Sequence, residues 1–515
     1  VQAVGCEAGP GAMHLAALHA AQQRAVCDAG GGENGVAGGQ IVQPVATLEI
    51  GHADALRARL FLIVAEHQTS LELPADARVG ESIRTFLELD DQSLTLKLTP
   101  NRSDCLSILG IARDVSALTG SPITQPVIEA VEVSTGAQRT VTVKETEACP
   151  RYAGRMVTGV NATVATPDWM IRRLERSGLR SISAIVDITN YVLLELGQPL
   201  HAFDVAKLSG NIEVRYARQA EKLALLNDQT VELHHDMLTI ADDNGAIALA
   251  GIMGGASTAV SDATTDIFLE SAFFVPGVIV GKARRLNFST DSSYRFERGV
   301  DFANTRSALE RATALVLEIC GGDAGPVTEV LNRLPERRPV TLRMRRLSAA
   351  LGISLGADEV ANLFDRLRFA YQQSADVFHV TPPSYRFDIS IEEDLIEEVA
   401  RLHGYENIPA IPPHADLHMQ PDPESRLNHA VLRDTLAAQG YQEIVSYSFV
   451  DESWEKALLG NPDPIALKNP IASNMSVMRS GLWGGLIDTL VYNLNRKQER
   501  VRLFAMSQSA ISAST

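Results

Sequence analysis

Hydrophobic and polar positions begin to follow regular periods at about Leu71, and the elements can be read off from there. SLTLKLT (93–99) alternates apolar with polar residues, which predicts a strand running into the turn Thr99-Pro100-Asn101-Arg102-Ser103-Asp104. In the following CLSILGIARDVSALTG, Leu106, Ile108, Leu109, Ile111, Val115 and Leu118 cover one helical face, with Gly120 as the C-terminal cap. The block from about Cys149 to Val330 mixes the two periods and reads as one α+β domain. Its first helix is expected to have Thr166 as cap, Pro167 in the first turn, Asp168 against the dipole, Trp169, Met170 and Leu174 as its apolar face, and Gly178 at its end. IEVRYA, TVEL and IALAGIM read as strands.

The linker LNRLPERRPV opens a smaller unit bounded by Pro335 and Pro339 on one side and Pro409, Pro412 and Pro413 on the other. Within it Ser390 and Glu393 form a capping-box pair ahead of a helix with the stripe Ile391, Leu395, Val399 and Leu402. After Pro421, RLNHAVLRDTLAAQG predicts a helix, YQEIVSYSFVD a strand and RVRLF another. Residues 1 to about 70 show no sustained period and support no fold assignment.

A length of 515 residues suggests several domains at roughly 100–200 residues each. With 63 acidic and 46 basic residues the chain carries a formal charge of −17, so any nucleic-acid contact must rest on a local patch. Five cysteines without CxxC spacing argue against a disulfide framework or zinc knuckle and fit a reducing cytoplasm. No run approaches the roughly 18 apolar residues of a membrane span, and no secretion signal is evident.

Three central segments place polar groups among apolar ones. RSISAIVDITNYVLLELGQPLHAFD holds Arg180, Asp187, Thr189, Asn190 and His201, which either satisfy one another in the core or line a pocket. In the second segment Gly251, Gly254 and Gly255 precede Glu270, a carboxylate on an apolar strand that needs a partner if it faces inward. The third offers Arg284, Arg285, Arg295 and Arg298 in what also reads as a salt-bridged surface loop. Further on, Asp394, Glu397 and Glu398 share one helical face with Asp388 close by, which suits either a solvated acidic face or an oxygen-coordinated Mg²⁺.

Seven segments in order, TPNRSDCLSILGIARDVSALTG, CPRYAGR, VDITNYVLLELGQPLHAFD, AGIMGG, STDSSYRFERGVD, SYRFDISIEEDLIEEVARLHGYENIP and GYQEIVSYSFVD, resemble the beta subunit of bacterial phenylalanyl-tRNA synthetase from about Leu71 to Phe504. The resemblance implies a multidomain α+β chain: a remnant of the B1-type domain (71–145), a B3/B4 editing domain (146–332), a small helix-rich B5 domain (337–413), and a partial class II synthetase-like antiparallel sheet domain (420–515). It implies an alpha-subunit partner in an alpha-two, beta-two tetramer. In the family that partner activates phenylalanine with ATP and charges the phenylalanine tRNA, and the resemblance implies that this chain hydrolyses tRNA mischarged with tyrosine.

The family's editing pocket falls on Arg180, Thr189, Asn190, His201, Gly254, Glu270, Thr290 and Ser292, with Glu270 matching the tyrosine hydroxyl and His201 and Asn190 positioning the water or ester. Where the family has alanine this chain has Ser292. The family's magnesium site, shared with the alpha subunit, falls on Asp388, Asp394, Glu397 and Glu398. The family's tRNA-binding barrel is not recognisable in residues 1–70, which read as damaged or replaced, and its later modules are not matched after Phe504. A free-standing aminoacyl-tRNA deacylase and an inactive structural fragment are the alternatives.

Overall fold

The computed structural model describes residues 59–64, 67–72, 78, 80–412, 415, 416, 418, 421, 423 and 428–507. Residues 1–58, with Cys6 and Cys27, lie outside the described residues. The chain divides into two units, 1–410 and 411–515. Among the described residues no helix is long and apolar enough to cross a membrane.

Within the stretch assigned no fold, β1 (Arg59–Val64) and β2 (His67–Glu72) form an antiparallel hairpin. The strand expected at 93–99 is not formed, and Leu94 and Leu96 are 83% and 55% exposed. Alternation makes a strand only where another strand satisfies its backbone and a core covers one face; no described strand pairs with this segment. The expected helix is present as α1 (Ile108–Thr119), with the Ser107 hydroxyl accepting from Gly110 N–H and Gly120 ending it at φ 74°. Its apolar stripe is not its buried face. Ile108, Val115 and Leu118 are exposed, whereas Gly110 and Ala117 are buried. A Cβ added at Gly110 would lie 1.7 Å from the Asp104 carbonyl oxygen, so the helix seats on its preceding turn through its smallest residue.

The central region is built in layers. In chain order its principal elements are β3 (Val141–Val143), β4 (Arg151–Thr158), α2 (Asp168–Arg176), α3 (Ala184–Leu196), β5 (Leu200–Asp204), β6 (Ile212–Tyr216), β7 (Lys222–Ala224), β8 (Thr230–Glu232), β9 (Leu238–Asp242), β10 (Gly245–Leu249), β11 (Met253–Gly254), β12 (Asp266–Phe273), α4 (Asp291–Phe296), α5 (Thr305–Cys320) and β13 (Asp323–Leu331). One antiparallel sheet has the order β13-β4-β12-β5, and a second, mixed sheet the order β11-β10-β9-β6-β3. Alternation along β12 separates two cores: Phe268 and Ala272 pack with the second sheet, while Ile267 and Leu269 pack with α3 and α5. Thr166 does not cap α2 as expected. Pro167 takes that position, and the Thr166 hydroxyl donates to Asp187 at 2.6 Å, because a buried carboxylate at the start of α3 needs donors more than the α2 terminus does.

The next unit holds β14 (Val340–Arg343), α6 (Met344–Leu351), α7 (Ala357–Leu367), β15 (Ala370–Ser374), β16 (Val377–Thr381) and α8 (Glu392–His403), with the sheet order β14-β16-β15. Leu395, Val399 and Leu402 join its core, as does Ala117 of α1, while Ile391 is exposed. The α8 cap is shifted from the expected Ser390–Glu393 pair: the Asp394 carboxylate accepts from the N–H groups of Ser390 and Ile391 at 2.7 and 2.9 Å.

In the second unit α9 (His429–Ala438) begins at Asn428, whose side chain accepts from Ala430 N–H. The strand expected over 441–451 is two short pieces, β17 (Gln442–Glu443) and β18 (Phe449–Val450), followed by α10 (Glu452–Leu459), β19 (Val477–Met478), α11 (Trp483–Asn495) and β20 (Leu503–Phe504). The pairing is mixed rather than wholly antiparallel, since β17 runs parallel to β20 while β18 and β19 are antiparallel.

Candidate functional site

Glu270 sits in the middle of β12, directly opposite His201 of β5. Both border a cavity of about 210 Å³, walled by Leu226, Ile240, Met253, Phe274 and Phe296 and floored by Gly251, Gly254 and Ser292. A cavity below the roughly 300 Å³ of ordinary ligand clefts suits one side chain rather than a large ligand. The 251–254 turn is tied to α4 by two hydroxyls: Thr290 donates to the Ile252 carbonyl at 2.8 Å and Ser292 to the Gly251 carbonyl at 3.1 Å. Thr290 also caps α4 by accepting from Ser293 N–H, so it braces the floor from behind.

The His201 ring packs edge-to-face on Phe203, with centroids 4.5 Å apart, and its Nε2 is buried with no partner among the described residues. Gly254 makes this placement possible. A Cβ there would lie 2.3 Å from His201 Cε1 and 2.6 Å from Nε2. Gly254→Ala should therefore displace the imidazole while leaving secondary structure intact, which a changed His201 ring chemical shift beside an unaltered far-UV spectrum would register.

Burial governs the charges. It pushes the Glu270 carboxyl up to about 8 and the His201 imidazole down to about 4. At neutral pH the cavity presents an un-ionised acid able to donate and a neutral imidazole able to accept, and no hydrogen bond within the described chain reaches the Glu270 carboxyl.

The remaining residues of the expected pocket are placed elsewhere. Thr189 and Asn190 lie on α3, which packs on the opposite core of the sheet, and the Thr189 hydroxyl donates to the Val186 carbonyl within the helix. Arg180 is exposed in the loop before α3. None of the three lines the cavity. Asp187 is structural, accepting from Thr166, Ser181 and Ile182 N–H. The apolar walls come from five separated segments, and no local signal in the sequence marks them. Of the arginine-rich segment, Arg285 pairs with Asp236, Arg295 with Asp291 and Arg298 with Glu297.

The four carboxylates at α8 do not form an oxygen cage. Arg386, 2% exposed, forks onto Asp388 at 2.8 and 2.9 Å and reaches Glu398 at 2.8 Å, and Arg401 also bonds Glu398. Asp394 is occupied in the helix cap, and Glu397 is exposed, 3.4 Å from Asn101. Among the described residues no group of three or more His, Cys, Asp or Glu side chains could hold a metal. Arginine supplies the positive charge beside Asp388 and Glu398, and the described residues of this chain alone present no oxygen cage for the Mg²⁺ that the family resemblance implies.

Residues 148–321, which contain the cavity, match the family described as the B3/4 domain; residues 340–405 match the tRNA synthetase B5 domain, and residues 408–515 the phenylalanyl tRNA synthetase beta chain CLM domain. The chain is 58% identical over 436 residues to the phenylalanine–tRNA ligase beta subunit of Chromobacterium violaceum. The chain belongs to the phenylalanine–tRNA ligase beta-subunit family. That match covers 85% of this chain and 56% of the relative. The beta subunits of Cupriavidus pinatubonensis and Dechloromonas aromatica are each 54% identical, over 88% and 87% of this chain and 56% and 57% of their own lengths. The chain thus spans about half the length of the beta subunits it matches. Within the family's B3/4 region the cavity gathers His201, Gly254, Glu270 and Ser292, with Thr290 behind them. Its B5 region holds the arginine-neutralised carboxylates.

Proposed function

We propose that the chain acts as the editing and scaffolding part of a phenylalanine–tRNA ligase, hydrolysing tyrosine-charged phenylalanine tRNA while an alpha subunit, in an alpha-two, beta-two assembly in the cytoplasm, uses ATP and Mg²⁺ to attach phenylalanine. What supports the reading is the buried, unpartnered carboxyl of Glu270 beside His201 at the border of a cavity of side-chain size. A pocket shaped for phenylalanine rejects one added hydroxyl poorly, and a second site that hydrogen-bonds the hydroxyl corrects the error. The tyrosine ring lies against Phe274 and Phe296, its hydroxyl pairs with Glu270, and phenylalanine in the same place would leave the buried carboxyl without a partner. His201, held near pKa 4 by burial, is too weak a base to take a proton from water at pH 7; it orients the attacking water by accepting its hydrogen bond at Nε2. Gly254 and Ser292 close the floor.

The deciding assay is deacylation of tyrosine-charged phenylalanine tRNA by the purified chain, alone and with a matching alpha subunit. Hydrolysis should be seen and should be lost in the His201→Ala, Glu270→Ala double variant. Folded wild-type chain that leaves the ester intact even beside the alpha subunit overturns the reading.

A further inference from the structure

The Glu270 carboxyl has a neighbour that the proposed reaction does not yet use. On β4 the residue directly across from Glu270 is Gly154, and Tyr152, across from Ala272, is the diagonal neighbour. Diagonal positions are roughly 7–8 Å apart at the backbone, within the reach of an aromatic side chain. Tyr152, Phe268 and Ala272 share one core, and Glu270, two residues from each of the latter pair, points to the same side. On that face the Phe268 ring covers Gly154, its Cζ 2.1 Å from where an added Cβ would lie. Tyr152 is wholly buried, and its hydroxyl has no hydrogen-bond partner among the described residues. A buried hydroxyl left without a partner costs about 1–3 kcal/mol, so it is expected to have a use.

We propose that Tyr152 is a positioning residue for Glu270: through one bridging water its hydroxyl donates toward the carbonyl oxygen of the protonated carboxyl, turning the acid's own O–H toward the cavity. The proposal rests on the editing reading for its purpose but not for its test. With the carbonyl oxygen held by Tyr152, the Glu270 proton is left to meet the hydroxyl oxygen of the tyrosine ring. The other titratable groups facing Glu270 are His201 on β5 and the buried thiol of Cys149 ahead of β4; the second sheet and α4 present Ile240, Ala248, Leu249 and Phe296 to the cavity. Glu270 and Cys149 both act to raise the Tyr152 phenol, after burial itself, which agrees with their grouping around it.

The test follows the stability of the full chain against pH, as the difference between wild type and Glu270→Gln and as the difference between Tyr152→Phe and the Tyr152→Phe, Glu270→Gln double variant. A donated hydrogen bond favours the ionised carboxyl, so its removal should move the upper break of the Glu270 titration upward by about half a pH unit or more. Tyr152→Phe deletes one hydroxyl and keeps the ring, so the fold is retained. An unmoved or lowered break overturns the proposal, as does a wild-type difference curve with no break. Deacylation is assayed in parallel: a shifted break in a chain that never hydrolyses the tyrosyl ester keeps Tyr152 as the partner of Glu270 and sinks the editing reading instead.

Discussion

Arg386→Ala should lower the stability of the chain by about 3–5 kcal/mol, the usual cost of removing one partner from a buried ion pair. The guanidinium is 2% exposed and serves two carboxylates at once, Asp388 at 9% and Glu398 at 2% side-chain exposure. Without it both anions stay in a low-dielectric interior, and Arg401, bonded to Glu398 and Asp114, reaches only one of them. The network continues through Asp114 to Arg102 and Asp104, so it ties α1 to α8. Arg386→Lys should recover little, because a point charge cannot fork onto Asp388 while also reaching Glu398. The acid side carries a second signature. Burial alone would raise the Glu398 carboxyl, yet Arg386 and Arg401 hold it down at about 2, below its ordinary 4.5. A depressed carboxylate contributes stability above its unfolded value that is lost as pH falls from about 4.5 toward 2, and Arg386→Ala should flatten that limb. Urea titrations at several pH values measure both effects. A loss below about 1 kcal/mol would show that the carboxylates find other partners. Millimolar Mg²⁺ should leave the wild-type midpoint unchanged, since arginine already neutralises the site.

The acidic helix shows where sequence reading reaches its limit. Spacing correctly placed Glu397 and Glu398 on one helix with Asp394, but face-sharing says nothing about the side chain that approaches from another segment. Arg386 lies two residues before Asp388 and was as visible as the carboxylates; what could not be read was that the chain folds it inward between them. The β12 strand was legible for the opposite reason. A lone carboxylate in an unbroken apolar run has few fates, and alternation alone puts Glu270 on the face of Phe268 and Ala272. Its pairing with His201 depends on strand register, which no local pattern encodes. α1 failed in a third way. Its periodicity gave its limits and its Gly120 cap, yet its buried face is the small-residue one at Gly110 and Ala117, since close backbone approach rewards the absence of a side chain.

Glu270→Ala should reduce the preference for tyrosyl over phenylalanyl ester by about 10- to 100-fold, the worth of one buried hydrogen bond of about 1–3 kcal/mol. The loss should come from slower tyrosyl hydrolysis, because the apolar walls that hold the ring are unchanged. Glu270→Gln separates hydrogen bonding from titration. It keeps a donor and an acceptor in the cavity, so it should retain much of the preference, but it cannot lose a proton. In the wild type the folded carboxyl stays protonated to about 8, whereas the unfolded one ionises near 4.5. Between those values the native state holds a proton that the unfolded state has released, so stability is full below about 4.5 and is lost as pH rises through 8. His201 acts in the opposite sense between about 4 and 6.5, but it is common to both proteins and cancels in their difference. The wild type should therefore lose stability relative to Glu270→Gln at about 1.4 kcal/mol per pH unit across that window and hold level above it. Parallel curves for the two proteins would mean that the carboxyl is solvated and ionised at neutral pH, and a charged Glu270 would leave the cavity no proton to offer an aromatic hydroxyl.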